Sequence, residues 1–438
     1  MLQQGGDMKR RTFSAGLAAL PFLGPSLTRA FAQDAAASLP KTYSGQKIRA
    51  LASTGAVWES MATISREFTD ATGIAVEYVN LSYNEQYQKL ILDLTSGAGS
   101  FDVFNFAYQW KYEIEPYSTD LSKIPTEIPG APDLALDDYP KRALDIYGRV
   151  NDKLVGLPTI GDVTLFVWNK AAYEAAGLDP AAAPQTWDEV AERGAKLVGN
   201  GQFGYAMPAG KGIQTTVTWI LIFKSMGGEY FDASGAPTFG SEAGVKTMKF
   251  LVEKLAPVSP PGNLTWDFPE MFNSLSTGQS AQSMMWPGAF GDLLNPRTSQ
   301  VSDKIAWSPT PQASLLGGWA MGVNDASRAK DAAKLYVAWL TSPDIVRRMG
   351  LSGGAPARIS ALKDPELVKQ APNRPAVLAG LQGDVAEYPP IKEAEQIHIM
   401  IYDEVNAAVA KIKTPEQAAG DLQGKVESFM RRRGYLKT

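Results

Sequence analysis

The chain of 438 residues contains no cysteine and a single histidine, His398. Without cysteine, the chain has no disulfides, thiolate zinc sites, iron–sulfur clusters or cysteine nucleophiles. One histidine excludes a multi-histidine metal site and leaves only one position for a Ser-His-Asp relay. Charge is nearly balanced, with 42 Lys and Arg against 46 Asp and Glu, and no block of one sign occurs. We expect neither a cofactor nor nucleic-acid binding, because the latter needs a basic stripe.

The length and hydropathy of the chain indicate a globular protein with more than one core. A chain of 438 residues predicts two or three domains at about 100–200 residues each. After the N-terminal segment, no run of residues approaches the ~18 consecutive apolar residues of a membrane-spanning helix.

The N-terminal segment predicts export. A basic start precedes an apolar stretch at residues 15–27, and a small-residue cleavage site follows, as in a secretory signal peptide. The basic residues and the cleavage site are Lys9, Arg10, Arg11 and Ala30-Phe31-Ala32. The paired arginines resemble a twin-arginine signal, with Met1 or Met8 as the start. We expect residues 1–32 to be removed and residues 33–45 to form a flexible leader. No cysteine follows the cleavage site, so we expect a soluble periplasmic protein without a lipid anchor.

Short β-forming runs alternate with amphipathic helical stripes in the rest of the chain. Strands are predicted at residues 47–52, 74–81, 101–104, 165–169, 282–286, 305–308 and 319–323. Helices are predicted around residues 58–68 and 87–94, after a capping box at 186–189, and at 213–226, 242–255, 269–277, 329–340 and 393–432, the last interrupted near 414. This alternation predicts an α/β protein with parallel sheets covered by helices on both faces.

A series of short motifs follows these elements in order. They are Tyr87-Gln88-Lys89-Leu90, Phe101-Asp102-Val103, Gly156-Leu157-Pro158, Trp168-Asn169-Lys170, Thr186-Trp187-Asp188-Glu189, Gly317-Gly318-Trp319 and Gly353-Gly354-Ala355-Pro356-Ala357-Arg358. Over residues 46–432 the chain thereby resembles the family 1 extracellular solute-binding proteins, the maltose-binding-protein-like carbohydrate receptors of ABC importers. One departure is Trp286-Pro287-Gly288, where the family usually has the order Gly-Pro-Trp.

The resemblance implies a two-lobed periplasmic-binding-protein fold. Each lobe would be a mainly parallel sheet flanked by helices, and crossing strands would form a hinge. Residues 46–150 and 304–342 would form lobe 1, and residues 151–303 and 343–438 would form lobe 2. A sugar or sugar derivative would bind in the cleft between the lobes and pass to the permease subunits of an ABC transporter. We expect a monomer that performs no catalysis.

A sugar needs flat aromatic rings against its faces and polar side chains around its hydroxyls, because a buried hydroxyl without a partner costs roughly 2–7 kcal/mol. Ligands of parallel sheets sit beyond the carboxyl ends of the strands. On these grounds the candidate contacts are Thr54, Asn84, Asn105, Tyr108, Asp162, Trp219, Trp286, Gly318, Trp319 and Arg358. The structural alternatives are helix capping for Asn84, core packing for Trp219 and a salt bridge between the lobes for Arg358. His398 is not assigned to the site.

Two other functions stay open at this point. The same fold could bind a polyamine, a phosphate ester or ferric iron, although the single histidine and the absence of adjacent tyrosines disfavour iron. Polyamine binding would need several acids around an aromatic box, whereas Arg358 in the cleft would favour an acidic sugar. An exported glycosidase, which needs only two carboxylates, is the less favoured alternative.

Overall fold

The computed structural model describes residues 39–436, apart from the side chains of Ala56 and Asn84. The predicted signal peptide and the beginning of the predicted leader lie outside the described residues. Among the helices of residues 39–436, none combines the length and the hydropathy needed to cross a membrane.

Strands and helices alternate along the described chain, as predicted. The strands are β1 Lys47–Ser53, β2 Ala75–Leu81, β3 Val103–Ala107, β4 Arg149–Val150, β5 Lys153–Leu154, β6 Leu157–Ile160, β7 Leu165–Asn169, β8 Gln282–Met285, β9 Ile305–Pro309, β10 Ser314–Leu315, β11 Trp319–Val323 and β12 Val385–Ala386. The α-helices are α1 Ala56–Thr72, α2 Tyr83–Ser96, α3 Lys111–Ile114, α4 Ile124–Glu127, α5 Lys141–Gly148, α6 Lys170–Ala175, α7 Trp187–Leu197, α8 Ile213–Ser225, α9 Glu242–Lys249, α10 Phe268–Ser276, α11 Phe290–Leu293, α12 Lys330–Leu340, α13 Pro343–Leu351, α14 Ile359–Lys363, α15 Pro365–Gln370, α16 Arg374–Gln382, α17 Ala394–Val409 and α18 Pro415–Arg432.

The first sheet has the strand order β2-β1-β3-β11-β6 and is the centre of the first lobe. Strands β2, β1 and β3 are parallel, whereas β11 runs antiparallel to both β3 and β6. Every residue of β3 and β11 is buried, which agrees with a sheet covered on both faces.

Helix α12 packs in the core of the first lobe, where residues 332–340 are all buried. The ring of Phe68 on α1 lies 5.1 Å from that of Tyr336 and 5.2 Å from that of Trp339, centroid to centroid. The Tyr336 hydroxyl forms hydrogen bonds of 2.6 Å with the hydroxyls of Ser65 and Tyr78. The phenol is therefore satisfied within the core.

The second sheet has the strand order β8-β7-β9 and is the centre of the second lobe. Both β8 and β9 run antiparallel to β7. The expectation of a mainly parallel sheet is correct for β2-β1-β3 and wrong for β8-β7-β9. Residue alternation marks a strand but carries no information about its direction, so the sequence pattern could not distinguish the two cases.

Two of the segments that cross between the lobes contribute residues to a cavity between them. The chain leaves the first sheet after β6 and enters the second at β7, so residues 161–164 form one crossing. It returns between β9 and β11, through residues 310–318.

The lobe boundaries predicted at residues 304 and 342 fall too early in the chain. Strand β9 pairs with β7 of the second sheet, and α13 packs against α1 and α12 of the first lobe. Backbone pairing between distant strands decides which sheet a strand joins, and the hydrophobic pattern of β9 does not reveal its partner.

Arg358, predicted to contact the ligand, is a structural residue of the first lobe. Its side chain is 0% exposed and donates hydrogen bonds to the backbone carbonyl oxygen of Thr341 at 2.6 Å. It also donates to the carbonyl oxygens of Ala135 and Leu134, at 2.8 Å each. Its guanidinium carbon lies 4.1 Å from the centroid of the Tyr139 ring. Each of the three guanidinium nitrogens donates to a backbone carbonyl oxygen, so Arg358 fixes the chain rather than a ligand.

Replacing Arg358 by methionine is expected to lower the free energy of unfolding by at least ~3 kcal/mol, because three buried carbonyl oxygens lose their donor. Urea unfolding followed by circular dichroism measures the change. The control is Arg347→Met, which removes exposed ion pairs to Asp364 and Glu366 and should cost about 0–1 kcal/mol. Equal losses in the two variants would contradict the structural role of Arg358.

Candidate functional site

A cavity of about 590 Å³ lies between the two lobes, beside both crossing segments. The first lobe and the crossings contribute Tyr83, Ala107, Gln109, Asp162, Gly317 and Trp319, and the second lobe contributes Lys211, Gly212, Ile213, Gln214, Asp267, Trp286, Tyr388, Glu395, His398, Ile399 and Tyr402. We call this cavity the cleft. Its size is within the usual range of small-molecule sites, about 300–1,000 Å³.

Trp319 is the aromatic wall of the cleft on the first lobe. It begins β11 and is 8% exposed. Its ring packs edge-on against Trp58, Trp110 and Tyr83, at centroid distances of 5.2, 5.5 and 5.9 Å. Three aromatic neighbours hold the indole in one orientation, so this wall is formed before any ligand arrives.

Trp286 is the aromatic wall on the second lobe, directly after β8. Its indole nitrogen donates a hydrogen bond to Oε1 of Gln214 at 3.0 Å. The ring lies over Gly317, where an added Cβ would come within 2.3 Å of the indole Cζ3 atom. The indole reaches the cleft only because residue 317 has no side chain.

Gly318, which we expected to let the backbone approach a ligand, instead makes room for a protein side chain. An added Cβ at Gly318 would lie 2.1 Å from Cζ of Tyr147. Tyr147 is buried and donates a hydrogen bond to the backbone carbonyl oxygen of Asp162 at 2.6 Å. The close approach to the cleft belongs to the preceding residue, Gly317.

A hydrogen-bonded network joins the two lobes across the cleft. The Tyr83 hydroxyl on α2 donates to Oε1 of Glu395 on α17 at 2.8 Å. The same hydroxyl accepts hydrogen bonds from the Gln109 amide at 2.9 Å and the Trp110 indole at 3.2 Å. The phenol is therefore held in place by its own lobe and presented to a carboxylate of the other.

Glu395 is also paired within its own helix. Nδ1 of His398 lies 3.3 Å from Oε2 of Glu395, and the imidazole lies 4.7 Å from the Tyr388 ring, centroid to centroid. Burial opposes ionisation of Glu395, but the hydrogen bonds from His398 and Tyr83 outweigh it and lower its pKa to about 2. Nε2 of His398 is buried and has no hydrogen-bond partner among residues 39–436. His398, left out of the predicted site, thus lines the cleft with an unused nitrogen.

Two further carboxylates line the cleft. Oδ1 of Asp162 is buried without a partner in the described part of the chain, and burial raises the pKa of Asp162 to about 7. Asp267 precedes α10, accepts a hydrogen bond from the Gln214 backbone nitrogen at 3.0 Å, and has its pKa raised by burial. Asp267 therefore has a structural role, whereas Oδ1 of Asp162 has no hydrogen-bond partner among residues 39–436.

Of the predicted contacts, Asp162, Trp286 and Trp319 line the cleft, and three others are core residues. Trp219 is buried and stacks on Phe223, 4.4 Å between centroids. Asn105 is buried, and its Oδ1 accepts a hydrogen bond from Thr159 at 2.8 Å.

Tyr108 is the third core residue. Its hydroxyl accepts a hydrogen bond from the Tyr388 backbone nitrogen at 2.8 Å, and its ring lies 5.4 Å from that of Tyr147. Its position after β3 is as predicted, but the ring turns away from the cleft into the protein.

Thr54 is not among the cleft residues. Thr54 is exposed in the loop after β1. Asn84 lies in the first turn of α2, its side chain is outside the described atoms, and Ser82 rather than Asn84 caps the helix. Tyr83, one residue earlier, is the residue of this turn that lines the cleft.

Three cleft residues that sequence reasoning missed lie near the N-terminal ends of two helices. Gln214 lies in the first turn of α8, and Glu395 and His398 lie in the first turns of α17. The signal that could have found the latter pair is an acid three residues before the single histidine, at the start of a predicted helix. Residues 39–436 contain no group of three side chains suited to hold a metal ion.

The cleft shares lining residues with neighbouring cavities. A cavity of about 350 Å³ adds Phe268 and Phe272 to Asp162 and Trp286. A larger one of about 730 Å³ lies beside it, shares Asp292 with it, and extends to the loop at residues 353–356. The volume between the lobes is therefore an extended groove.

Comparison with known proteins identifies relatives along most of the chain. A probable amino-acid ABC transporter periplasmic-binding protein of Sinorhizobium fredii is 90% identical over 98% of this chain and 100% of its own length. A mannitol-binding protein of Pseudomonas aeruginosa is 25% identical over 86% of this chain and 91% of its own length.

Solved structures agree with the described fold. The crystal structure of an Agrobacterium radiobacter ABC transporter solute-binding protein in complex with ribitol superposes with a TM-score of 0.76 and 22% identity, over 88% of this chain and 99% of that one. This likeness shows the two-lobed periplasmic-binding-protein fold. The family model described as bacterial extracellular solute-binding protein matches residues 51–346. The chain belongs to the family of bacterial extracellular solute-binding proteins.

Proposed function

We propose that this chain is the periplasmic substrate-binding component of an ABC importer, and that it binds a polyol or a small sugar in the cleft. The observation that carries the proposal is the pair of indoles, Trp286 and Trp319, which line the cleft from opposite lobes. Relatives whose names state a ligand support the polyol class, since one binds mannitol and another was crystallised with ribitol. The chain would act as a monomer and hand the ligand unchanged to the permease subunits.

The polar groups of the cleft suit hydroxyl recognition. Asp162 and His398 present acceptor or donor atoms without protein partners, and Gln214 and Tyr388 lie beside them. A polyol places its hydroxyls around a weakly apolar carbon chain, so it can fill these positions while its C–H faces contact the indoles. Each buried hydroxyl that finds a partner avoids its desolvation cost.

Closure of the lobes would complete the site. The Tyr83–Glu395 hydrogen bond spans the lobes and exists only when they are close together. A ligand that contacts both tryptophans stabilises the same closed arrangement, and the permease would recognise the closed surface. Ligand binding and recognition by the permease then depend on the same equilibrium between open and closed lobes.

Two alternative functions, amino-acid binding and glycoside hydrolysis, are tested alongside the proposed one. The name of the Sinorhizobium fredii relative makes amino acids a second ligand class to include. A glycosidase would release products from an oligosaccharide, which prolonged incubation followed by chromatography detects. Product formation would contradict the proposal of a binding protein without catalysis.

The Trp286→Ala variant is expected to weaken polyol binding by at least ~10-fold, about 1.4 kcal/mol, because one of the two aromatic walls is lost. Isothermal titration against ribitol, D-mannitol and a panel of small sugars gives the affinities. The control is Trp307→Ala. Trp307 lies in β9, its indole packs on Phe290, and it is not among the residues that line the cleft. Equal affinities in wild type and Trp286→Ala would contradict the assigned site.

The Tyr83→Phe variant is expected to release ligand at least ~10-fold faster, because the charge-assisted bond to Glu395 is worth roughly 1.5–3 kcal/mol when formed. Stopped-flow tryptophan fluorescence measures the dissociation rate. The matched control is Tyr78→Phe, which removes a buried phenol hydrogen bond inside the first lobe. If both variants release ligand at the wild-type rate, the bond does not stabilise the closed state.

The stability of the ligand-free protein is expected to fall with rising pH because of Asp162. Burial raises its pKa from 3.8 to about 7, so between these values the folded protein holds a proton that the unfolded chain has released. Relative to Asp162→Asn, wild type should therefore lose unfolding free energy as pH rises from about 5 to about 8. Urea titrations of both proteins at the two pH values measure this. A difference that does not change with pH would contradict the burial of this carboxyl group.

A further inference from the structure

Two cleft-lining residues carry a buried polar atom without a hydrogen-bond partner among residues 39–436. One is Oδ1 of Asp162, a carboxyl oxygen. The other is Nε2 of His398, whose Nδ1 lies 3.3 Å from the Glu395 carboxylate. His398 is 1% exposed, so water does not readily supply the missing partner. The carboxyl oxygen of Asp162 is an acceptor that a ligand with hydrogen-bond donors would satisfy.

Acidic side chains outnumber basic ones in the cleft lining. The cleft lining contains three carboxylates, Asp162, Asp267 and Glu395. Its cationic side chain, Lys211, is 65% exposed and forms a 2.9 Å ion pair with Asp403. Arg358, which would have favoured an acidic ligand, is buried elsewhere on backbone carbonyls.

Tyr388 belongs to the same lining as these acids. Burial raises the pKa of Tyr388, and the charges of Glu395, Asp162 and Asp267 raise it further. The His398 imidazole lies 4.7 Å from the Tyr388 ring, centroid to centroid. Two of the three carboxylates have protein partners, since Glu395 accepts from Tyr83 and Asp267 accepts from the Gln214 nitrogen. Asp162 has a carboxylate oxygen left for a ligand.

We infer that the ligand carries a protonated amine beside its hydroxyls, and that Asp162 receives that ammonium group. This inference rests on the proposed function and narrows the polyol or sugar to an amino-polyol or amino sugar. An ammonium group brings three donors and a positive charge, whereas a hydroxyl brings one donor and no charge, so the ammonium group is the better match for an acidic side chain. The faces of Trp286 and Trp319 attract cations as well.

The test compares ligand pairs that differ by one amine. Isothermal titration is performed on the full protein with D-glucitol and 1-amino-1-deoxy-D-glucitol, and with glucose, mannose and galactose and their 2-amino-2-deoxy derivatives. Spermidine and a set of amino acids complete the panel. We expect the amine of at least one pair to bind ~10-fold or more tightly than its neutral partner, which corresponds to about 1.4 kcal/mol.

Two variants test whether Asp162 causes the preference for the amine. Asp162→Asn keeps the shape of the side chain but not its charge, and should reduce the ratio of amine affinity to neutral-partner affinity to within about threefold. Asp292→Asn is the control, since Asp292 lines the adjoining cavities but not the cleft. Thermal unfolding of both variants confirms that they are folded. A preference unchanged in Asp162→Asn would overturn the assignment.

The outcomes separate the inference from the proposed function. Binding of neutral sugars or polyols with equal or higher affinity than their amines overturns the inference and leaves the proposed function standing. Binding of spermidine or amino acids, with no binding of any hydroxylated compound, overturns the proposed function and the inference with it. Amine-selective binding of a hydroxylated compound supports both.

Discussion

The backbone carbonyl oxygen of Asp162 holds the two crossing segments together, and the geometry of the cleft depends on it. It accepts hydrogen bonds from the Tyr147 hydroxyl at 2.6 Å and from the Gly317 nitrogen at 3.0 Å. Gly318 leaves the space that the Tyr147 ring occupies. Because one carbonyl ties the first crossing to the second, the Asp162 carboxylate and Trp319 open into the same cavity.

The two aromatic walls and the polar groups of the cleft differ in how firmly they are held. Trp319 is packed by three aromatic rings of its own lobe, whereas Trp286 is held by one hydrogen bond and lies over Gly317. Asp162 and His398 keep buried atoms without protein partners, which a protein core normally avoids. A rigid wall on one lobe, a less constrained wall on the other and unused polar atoms between them are the arrangement expected of a site that a ligand completes.

The sequence by itself determined the elements and the family. Strand patterns predicted β7 and β11 with the bounds that the structure has. These patterns are local, because the side of a helix or strand on which a residue lies repeats every 3.6 or 2 residues. The ordered motifs indicated the solute-binding family, and Trp286, chosen for its place after a predicted strand, and Trp319, chosen for the glycine before it, both line the cleft.

Only the tertiary structure decided which side chains face the cleft and which strands share a sheet. Trp219 and Trp286 are both tryptophans among apolar neighbours, and only long-range packing, on Phe223 in one case and over Gly317 in the other, separates core from cleft. His398 reaches the cleft because α17 packs against α8, a contact between segments far apart in sequence. The same reason explains the misplaced lobe boundaries, since β9 joins the second sheet through backbone hydrogen bonds that no side-chain pattern encodes.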